Sequence, residues 1–147
     1  MKISECFIDV KSAFDRVSHW KLFQKLLHRG VPKQIINTFV RWYTEQSLYV
    51  SWGGASSAEF FMSNGIKQGA VASPHFFNLV FDSLNEDLNA AGVGCCIGSN
   101  IVNNLSWADD LVLLTPSAHA LSDLLKVCDK FAFDNLIIFN TKKRNVC

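Results

Sequence analysis

The chain has 147 residues, is 49% hydrophobic and carries a formal net charge of +1 at pH 7. This describes one globular domain with enough apolar residues for a core, and a net charge that does not by itself announce a nucleic-acid partner. No apolar run approaches the ~20 residues of a membrane-spanning helix and the N-terminus lacks a signal peptide's apolar stretch, so no membrane partner is expected.

The five cysteines (Cys6, Cys95, Cys96, Cys128, Cys147) are odd in number and lack C-x-x-C spacing, and the four histidines form no ligand pattern. The cysteines read as buried small hydrophobes of an intracellular, reducing compartment, nucleus or cytoplasm, and neither a disulfide framework nor a zinc site is expected.

In chain order, "CFIDV" (6–10) reads as a strand with Cys6, Ile8 and Val10 on one face and Phe7 and Asp9 on the other. A helix starting near Ser18 turns Leu22, Phe23, Leu26 and Leu27 inward, and Lys21, Lys25 and Arg29 line up as a stripe on its other face. Gly30 stops it, and Pro32 starts a second helix with Ile35, Ile36, Phe39, Val40 and Tyr43 inward. Between Arg16 and Tyr43 lie six basic residues and no acidic one. That run is either a solvated face or a surface that tracks phosphates.

Residues 47–65 read as two strands joined by a Gly-Gly/Ser turn and closed by Asn64-Gly65. Ser73-Pro74, an N-cap and a proline at the first helical position, predicts a helix whose inner face is Phe77, Val80, Phe81, Leu84 and Leu88. After Gly92 and Gly94 come a strand pair near 94–97 and 101–108, then a strand over 111–115. Ser117 caps a helix with Leu121, Leu124, Leu125, Cys128 and Phe131 inward, and "LIIF" (136–139) reads as a last strand. Interleaved strands and helices without repeat or linker predict an α+β layer, one sheet with helices on one face.

"LSWADDLVLL" (105–114) holds two adjacent carboxylates in an otherwise apolar run. Neighbours on a strand face opposite ways, so Asp109 and Asp110 can act together only where the chain turns, and a hairpin tip is the simplest geometry. Asp9 joins them if the first strand lies beside that hairpin. Three clustered carboxylates repel and persist with protons or cations, and oxygen-only ligands of this kind suit magnesium. Two such ions about 4 Å apart serve phosphoryl transfer.

Four segments, "FIDVKSAFDRV" (7–17), "NGIKQGAVASPHFFNLVFDSL" (64–84), "WADDLVLL" (107–114) and "NLIIFNTKK" (135–143), occur in one order. Together they resemble the palm region of reverse transcriptases of the non-LTR (LINE-like) retrotransposon type, over nearly the whole chain from about Cys6. The resemblance implies a polymerase palm, mainly antiparallel with a ferredoxin-like core, and RNA-directed DNA polymerase activity on an RNA template, a DNA primer and deoxynucleoside triphosphates. It assigns two Mg2+ ions, with Mn2+ as a substitute, to Asp9 and Asp109 with Asp110 assisting. Phe14 takes the place of the aromatic gate against the ribose 2′-OH, Gln68 and Gly69 that of the loop lining the incoming nucleotide, and Lys143 that of the general acid for the pyrophosphate. Read singly, Phe14 is equally a core residue, Gln68-Gly69 a loop before a helix, and Lys142 to Arg144 a solvated tail.

Departures from the family pattern are Trp107 for the usual Tyr or Phe, Ala72 for a larger aliphatic, Arg144 for Ser or Thr, and Asn135 where glycine is common. Residues 1–147 are expected to form one partial palm-type domain without thumb and most of the fingers. Such a piece is expected to be inactive alone. The alternatives are a catalytically inactive retrotransposon-derived remnant, at most a weak nucleic-acid-binding module, and another two-metal enzyme such as a nucleotidyl cyclase, against which the pairing of Phe14 with Gln68-Gly69 argues.

Overall fold

The computed structural model describes residues 3–140 and the short strand at 145–146. The elements are β1 (Ser4–Asp9), a 3-10 turn (Phe14–Arg16), α1 (His19–His28), α2 (Lys33–Thr44), β2 (Ser47–Leu48), β3 (Ser51–Trp52), β4 (Ala55–Ser56) and β5 (Phe60–Phe61). They continue as α3 (Ser73–Ala90), β6 (Cys95–Ile97), β7 (Asn100–Val102), β8 (Asn104–Trp107), β9 (Asp110–Thr115), α4 (Ala118–Asn135) and β10 (Asn145–Val146).

The main sheet runs β10-β1-β9-β8, with every neighbouring pair antiparallel. Alternation along β1 sets its register. Cys6 and Ile8 pair with Leu113 and Leu111, and all four are buried. A slip of one residue would bring Phe7 and Asp9 into the core, so the pairing is strongly specified. α3 and α4 cover this face with Phe77, Leu84, Leu88, Leu121, Leu124 and Cys128. The opposite face stays open, leaving Phe7, Leu105 and Trp107 exposed. The predicted α+β layer with helices on one face is what forms.

The inner face expected for α3 is buried at all five positions, and Phe76 joins it. Ser117 caps α4 as expected, its hydroxyl accepting from the Ala120 amide at 3.3 Å. α1 and α2 bury less than their periodicity suggested. They sit at the edge of the core and present narrower stripes, Leu22 and Leu26 in one and Ile36 and Tyr43 in the other, so Leu27 and Ile35 are exposed. Residues 47–61 form the expected hairpin as two short ladders, β2–β5 and β3–β4. Cys6, Cys95 and Cys128 are buried as expected, whereas Cys96 is exposed on the β6–β7 hairpin.

"LIIF" does not become a strand. It makes one antiparallel bridge, Val10 to Phe139, because that register sets residues 136–138 opposite 11–13, where the chain has already turned out of β1. Ile137 and Phe139 are still buried, and the Lys11 amide reaches the Ile138 carbonyl at 2.8 Å. The left-handed residue that ends α4 is Leu136 (φ 57°), and Asn135 stays helical with its side-chain amide donating to the Phe131 carbonyl at 2.9 Å.

Candidate functional site

The β8–β9 hairpin closes with Trp107 opposite Asp110, leaving Ala108 and Asp109 as a two-residue loop. The expected tip is there, but the positive φ falls on Ala108 (51°) and not on an aspartate. Asp110 pairs directly with Asp9 across the β1–β9 ladder. Opposite residues in an antiparallel pair project from the same face, with Cβ atoms about 4.5–5.5 Å apart. Asp109 belongs to the same junction, its carbonyl accepting from the Val10 amide at 3.3 Å. Among the described residues, no group of three or more His, Cys, Asp or Glu side chains is gathered as a metal-holding set. The fold assembles a facing pair, Asp9 and Asp110, with the half-buried Asp109 round the corner at the tip.

Asn140 holds this corner from the other side. Its side-chain amide donates to Asp9 Oδ2 at 3.2 Å and its backbone amide to the Asp9 carbonyl at 2.7 Å. The sequence signal was present, since Asn140 is the asparagine of the fourth motif, but only the folded chain reveals that it reaches Asp9.

An open cleft of about 540 Å3 is lined by Phe14, Gln68, Gly69, Ser73 and Asp109, among others. Three separate motifs therefore meet in one concavity. The close approach of residue 65 to the 3-10 turn makes this happen. The Gly65 amide donates to the Val17 carbonyl and the Ile66 amide to the Phe14 carbonyl, both at 2.8 Å. A Cβ on Gly65 would lie 2.9 Å from the Asp15 carbonyl oxygen, and its φ of +90° also favours glycine. Asn64-Gly65, expected to close a hairpin, thus docks the Gln68-Gly69 loop against Phe14. Gly69 has open space around it, and its φ of +81° favours glycine there. Phe14 is half-buried. One face stacks on Phe77 with centroids 5.0 Å apart, and it also borders the cleft, so it packs against the core and lines the cleft at once.

Ser73 was expected as an N-cap. It begins α3 instead, and its buried hydroxyl donates to the Lys67 carbonyl at 2.7 Å. The basic stripe is also redirected. Arg29 pairs with Asp82 (3.2 Å) and Glu86 (3.5 Å) of α3, and Lys21 bonds the Asp134 carbonyl and Asn135 Oδ1 at the end of α4. Burial pushes the Lys25 amine down, opposed by Glu86 and Asp82. The stripe thus ties α1 to the acidic side of α3 and to the end of α4, while its Arg29 pairs stay exposed to solvent. Lys143, with Lys142 and Arg144, lies outside the described residues.

A family model described as reverse transcriptase (RNA-dependent DNA polymerase) matches residues 4–147. The chain belongs to the reverse transcriptase family. This reverse transcriptase domain is 37% identical over 123 residues to the retrovirus-related Pol polyprotein from type-2 retrotransposable element R2DM of Drosophila melanogaster, covering 82% of the chain and 12% of that protein. It is 30% identical over 138 residues to the type-1 retrotransposable element R2 polyprotein of Popillia japonica, covering 92% of the chain and 19% of that protein. It is also 31% identical over 114 residues to the RNA-directed DNA polymerase from mobile element jockey of Drosophila funebris. These relatives are of the non-LTR type, and the chain spans less than a fifth of their length. In fold it matches apo telomerase from Candida tropicalis truncated from its C-terminal domain, with a TM-score of 0.73 at 14% identity over 99% of this chain and 30% of that one. A telomerase from Candida albicans in complex with a fragment of telomeric RNA matches at 0.62 and 15% identity, over 100% of this chain and 27% of that one. At such identities the likeness is one of fold, the α+β palm. Among the described residues no helix is long and apolar enough to cross a membrane.

Proposed function

We propose that these residues form the catalytic palm of an RNA-directed DNA polymerase, transferring deoxynucleotides onto a DNA primer along an RNA template. The observation that carries this reading is the single cleft that joins Phe14, Gln68, Gly69 and Asp109 from three distant segments. The donor set at its edge suits magnesium: hard, anionic oxygens on two adjacent strands, where like charges face each other and call for a cation. Asp9, Asp109 and Asp110 would hold the two ions, which would supply charge stabilisation to the attacking and leaving oxygens. Asn140 fixes the Asp9 carboxylate. Phe14, backed by Phe77 and unable to retreat, would leave no room for a ribose 2′-OH, and Gln68, which lines the same cleft, would hydrogen-bond the incoming nucleotide through its amide. Lys143 remains the candidate acid for the leaving pyrophosphate.

The redirected stripe supports a second statement, that residues 1–147 alone hold primer–template weakly. Arg29 and Lys21 of the stripe already engage α3 carboxylates and α4 end groups, which weakens its hold on phosphates, and positioning worth about 7–11 kcal/mol in favourable cases must come from elsewhere.

The test is primer extension by a complete R2-type relative in which residues 1–147 replace the matching segment. Extension that falls about a hundredfold or more in Asp9→Asn and in Asp109→Asn supports the palm reading. Extension indifferent to both substitutions overturns it. A folded graft without extension would favour the inactive remnant. The 147-residue chain by itself is expected to extend nothing.

A further inference from the structure

The edge strand β8 lies in the sheet the wrong way round for its composition. Its pairing with β9 sets Asn104 opposite Leu113 and Ser106 opposite Leu111, on the face that α3 and α4 cover, and turns Leu105 and Trp107 to the open face. Trp107 is 84% exposed and Leu105 57%. A slip of one residue would set Leu105 opposite Leu111 and turn the polar pair outward, and burial favours that alternative. The turn does not oppose it. The Ala108-Asp109 loop lacks the glycine that fixes a two-residue hairpin, Ala108 carries a φ of 51°, and the slip needs only a three-residue loop. Backbone bonds to β9 form in either register.

What distinguishes the observed register is a set of side-chain hydrogen bonds between β8 and α3. Asn103, 2% exposed at the corner before β8, donates to the Leu88 carbonyl at 2.6 Å. The Asn104 amide donates to Asn103 Oδ1 at 2.7 Å and to Asn89 Oδ1 at 3.3 Å. One turn earlier in α3, the Asn85 amide donates to Ser106 Oγ at 3.1 Å, next to Trp107. Four residues of helix rise about 6 Å and two residues of strand about 6.7 Å, so the pairs 85–106 and 89–104 match in spacing. A slip would turn Asn104 and Ser106 away from α3 and break both.

We propose that Asn85, Asn103, Asn104 and Ser106 are positioning residues that hold β8 in a register its apolar pattern opposes, and thereby set the Ala108-Asp109 tip beside Asp9 and Asp110. The use of that tip to bind magnesium rests on the polymerase reading.

Residue-resolved amide exchange of the 147-residue chain reads the register directly. The Leu114 amide donates to the Asn103 carbonyl at 2.9 Å, so by alternation Leu105 and Trp107 turn their amides to β9 while Asn104 and Ser106 turn theirs to the edge. A slipped strand reverses this. Ser106→Thr and Ser106→Val are isosteric and differ only in a hydroxyl for a methyl, and Asn103→Leu removes the donor at the other end. Threonine is expected to keep Leu105 and Trp107 protected. Ser106→Val and Asn103→Leu are expected to lower that protection tenfold or more, with Cys6 and Ile8 of the β1–β9 ladder unchanged, and to raise the magnesium dissociation constant fivefold or more. Wild-type protection in both variants overturns the proposal, as does an equal loss at Cys6 and Ile8, which would mean general destabilisation. Lost protection with unchanged magnesium affinity overturns the link to the tip. A wild type that binds no magnesium counts against the polymerase reading, and the exchange pattern then upholds or overturns the register assignment by itself.

Discussion

Asp9 and Asp110 stand directly opposite each other across the β1–β9 ladder, two like charges on one face of a sheet. Facing carboxylates destabilise a strand pair, and the Asn140 amide offsets this at Asp9 alone. The arrangement costs stability in the absence of a cation, and under the polymerase reading proposed above the same pairing is where a cation would bind.

Magnesium is therefore expected to stabilise the fold. At a hundred times its dissociation constant the gain is about 2.7 kcal/mol, or about 5–10 °C in Tm for a domain of this size. Thermal unfolding with and without magnesium, in the parent and in Asp109→Asn, measures it. An equal response in both proteins would mean that the effect arises elsewhere.

Ala108 carries a left-handed φ of 51° in the loop that presents Asp109. A non-glycine residue there stores about 1–2 kcal/mol, of which a glycine would return part, since it loses more entropy on folding. Ala108→Gly is expected to raise the denaturant midpoint by a net gain of about 0.5–1 kcal/mol. A lower midpoint would show that the turn is unstrained.

Phe14 borders the cleft while resting on Phe77. In the grafted polymerase, Phe14→Val is expected to admit ribonucleotides while deoxynucleotide incorporation largely persists. Unchanged sugar discrimination there would assign Phe14 to the core alone.

Burial pushes the Tyr43 phenol above its ordinary value, partly offset by its hydrogen bond with Ser73. The folded state thus keeps this proton after the unfolded chain has lost it near pH 10. Its contribution is fully present below that pH and is lost as pH rises through the folded value. Urea midpoints at neutral pH and above about pH 10 should fall less steeply in Tyr43→Phe than in the parent. Parallel slopes would count against a raised phenol.

Much of the architecture was legible in the sequence because burial imposes period. Alternation in "CFIDV" and the five inner positions of α3 could satisfy their apolar residues in one way each, so face and register followed. The periphery was less legible. Leu27 and Ile35 fit the helical period but lie beyond the arc their neighbours cover. "LIIF" has strand composition, but the Val10–Phe139 bridge sets its other residues opposite 11–13, where the chain leaves the sheet in a turn.

For the site, the sequence by itself determined the residue types and their order: three aspartates, an aromatic five residues after the first, a Gln-Gly before a helix, and motifs sufficient to place the chain in its family. Tertiary structure alone decided which of them meet and what holds them. Sequence spacing carries no information about partners more than a turn or two away. Lys21, Lys25 and Arg29 read as one cationic face until the end of α4 reached Lys21 and α3 set Asp82 and Glu86 beside Lys25 and Arg29. Gly65 read as a hairpin closure until its backbone came within contact of Asp15. Asn140, His19 and Ser73 reached Asp9, Gly65 and Lys67 only when residues 131, 46 and 6 positions apart were brought within hydrogen-bonding distance.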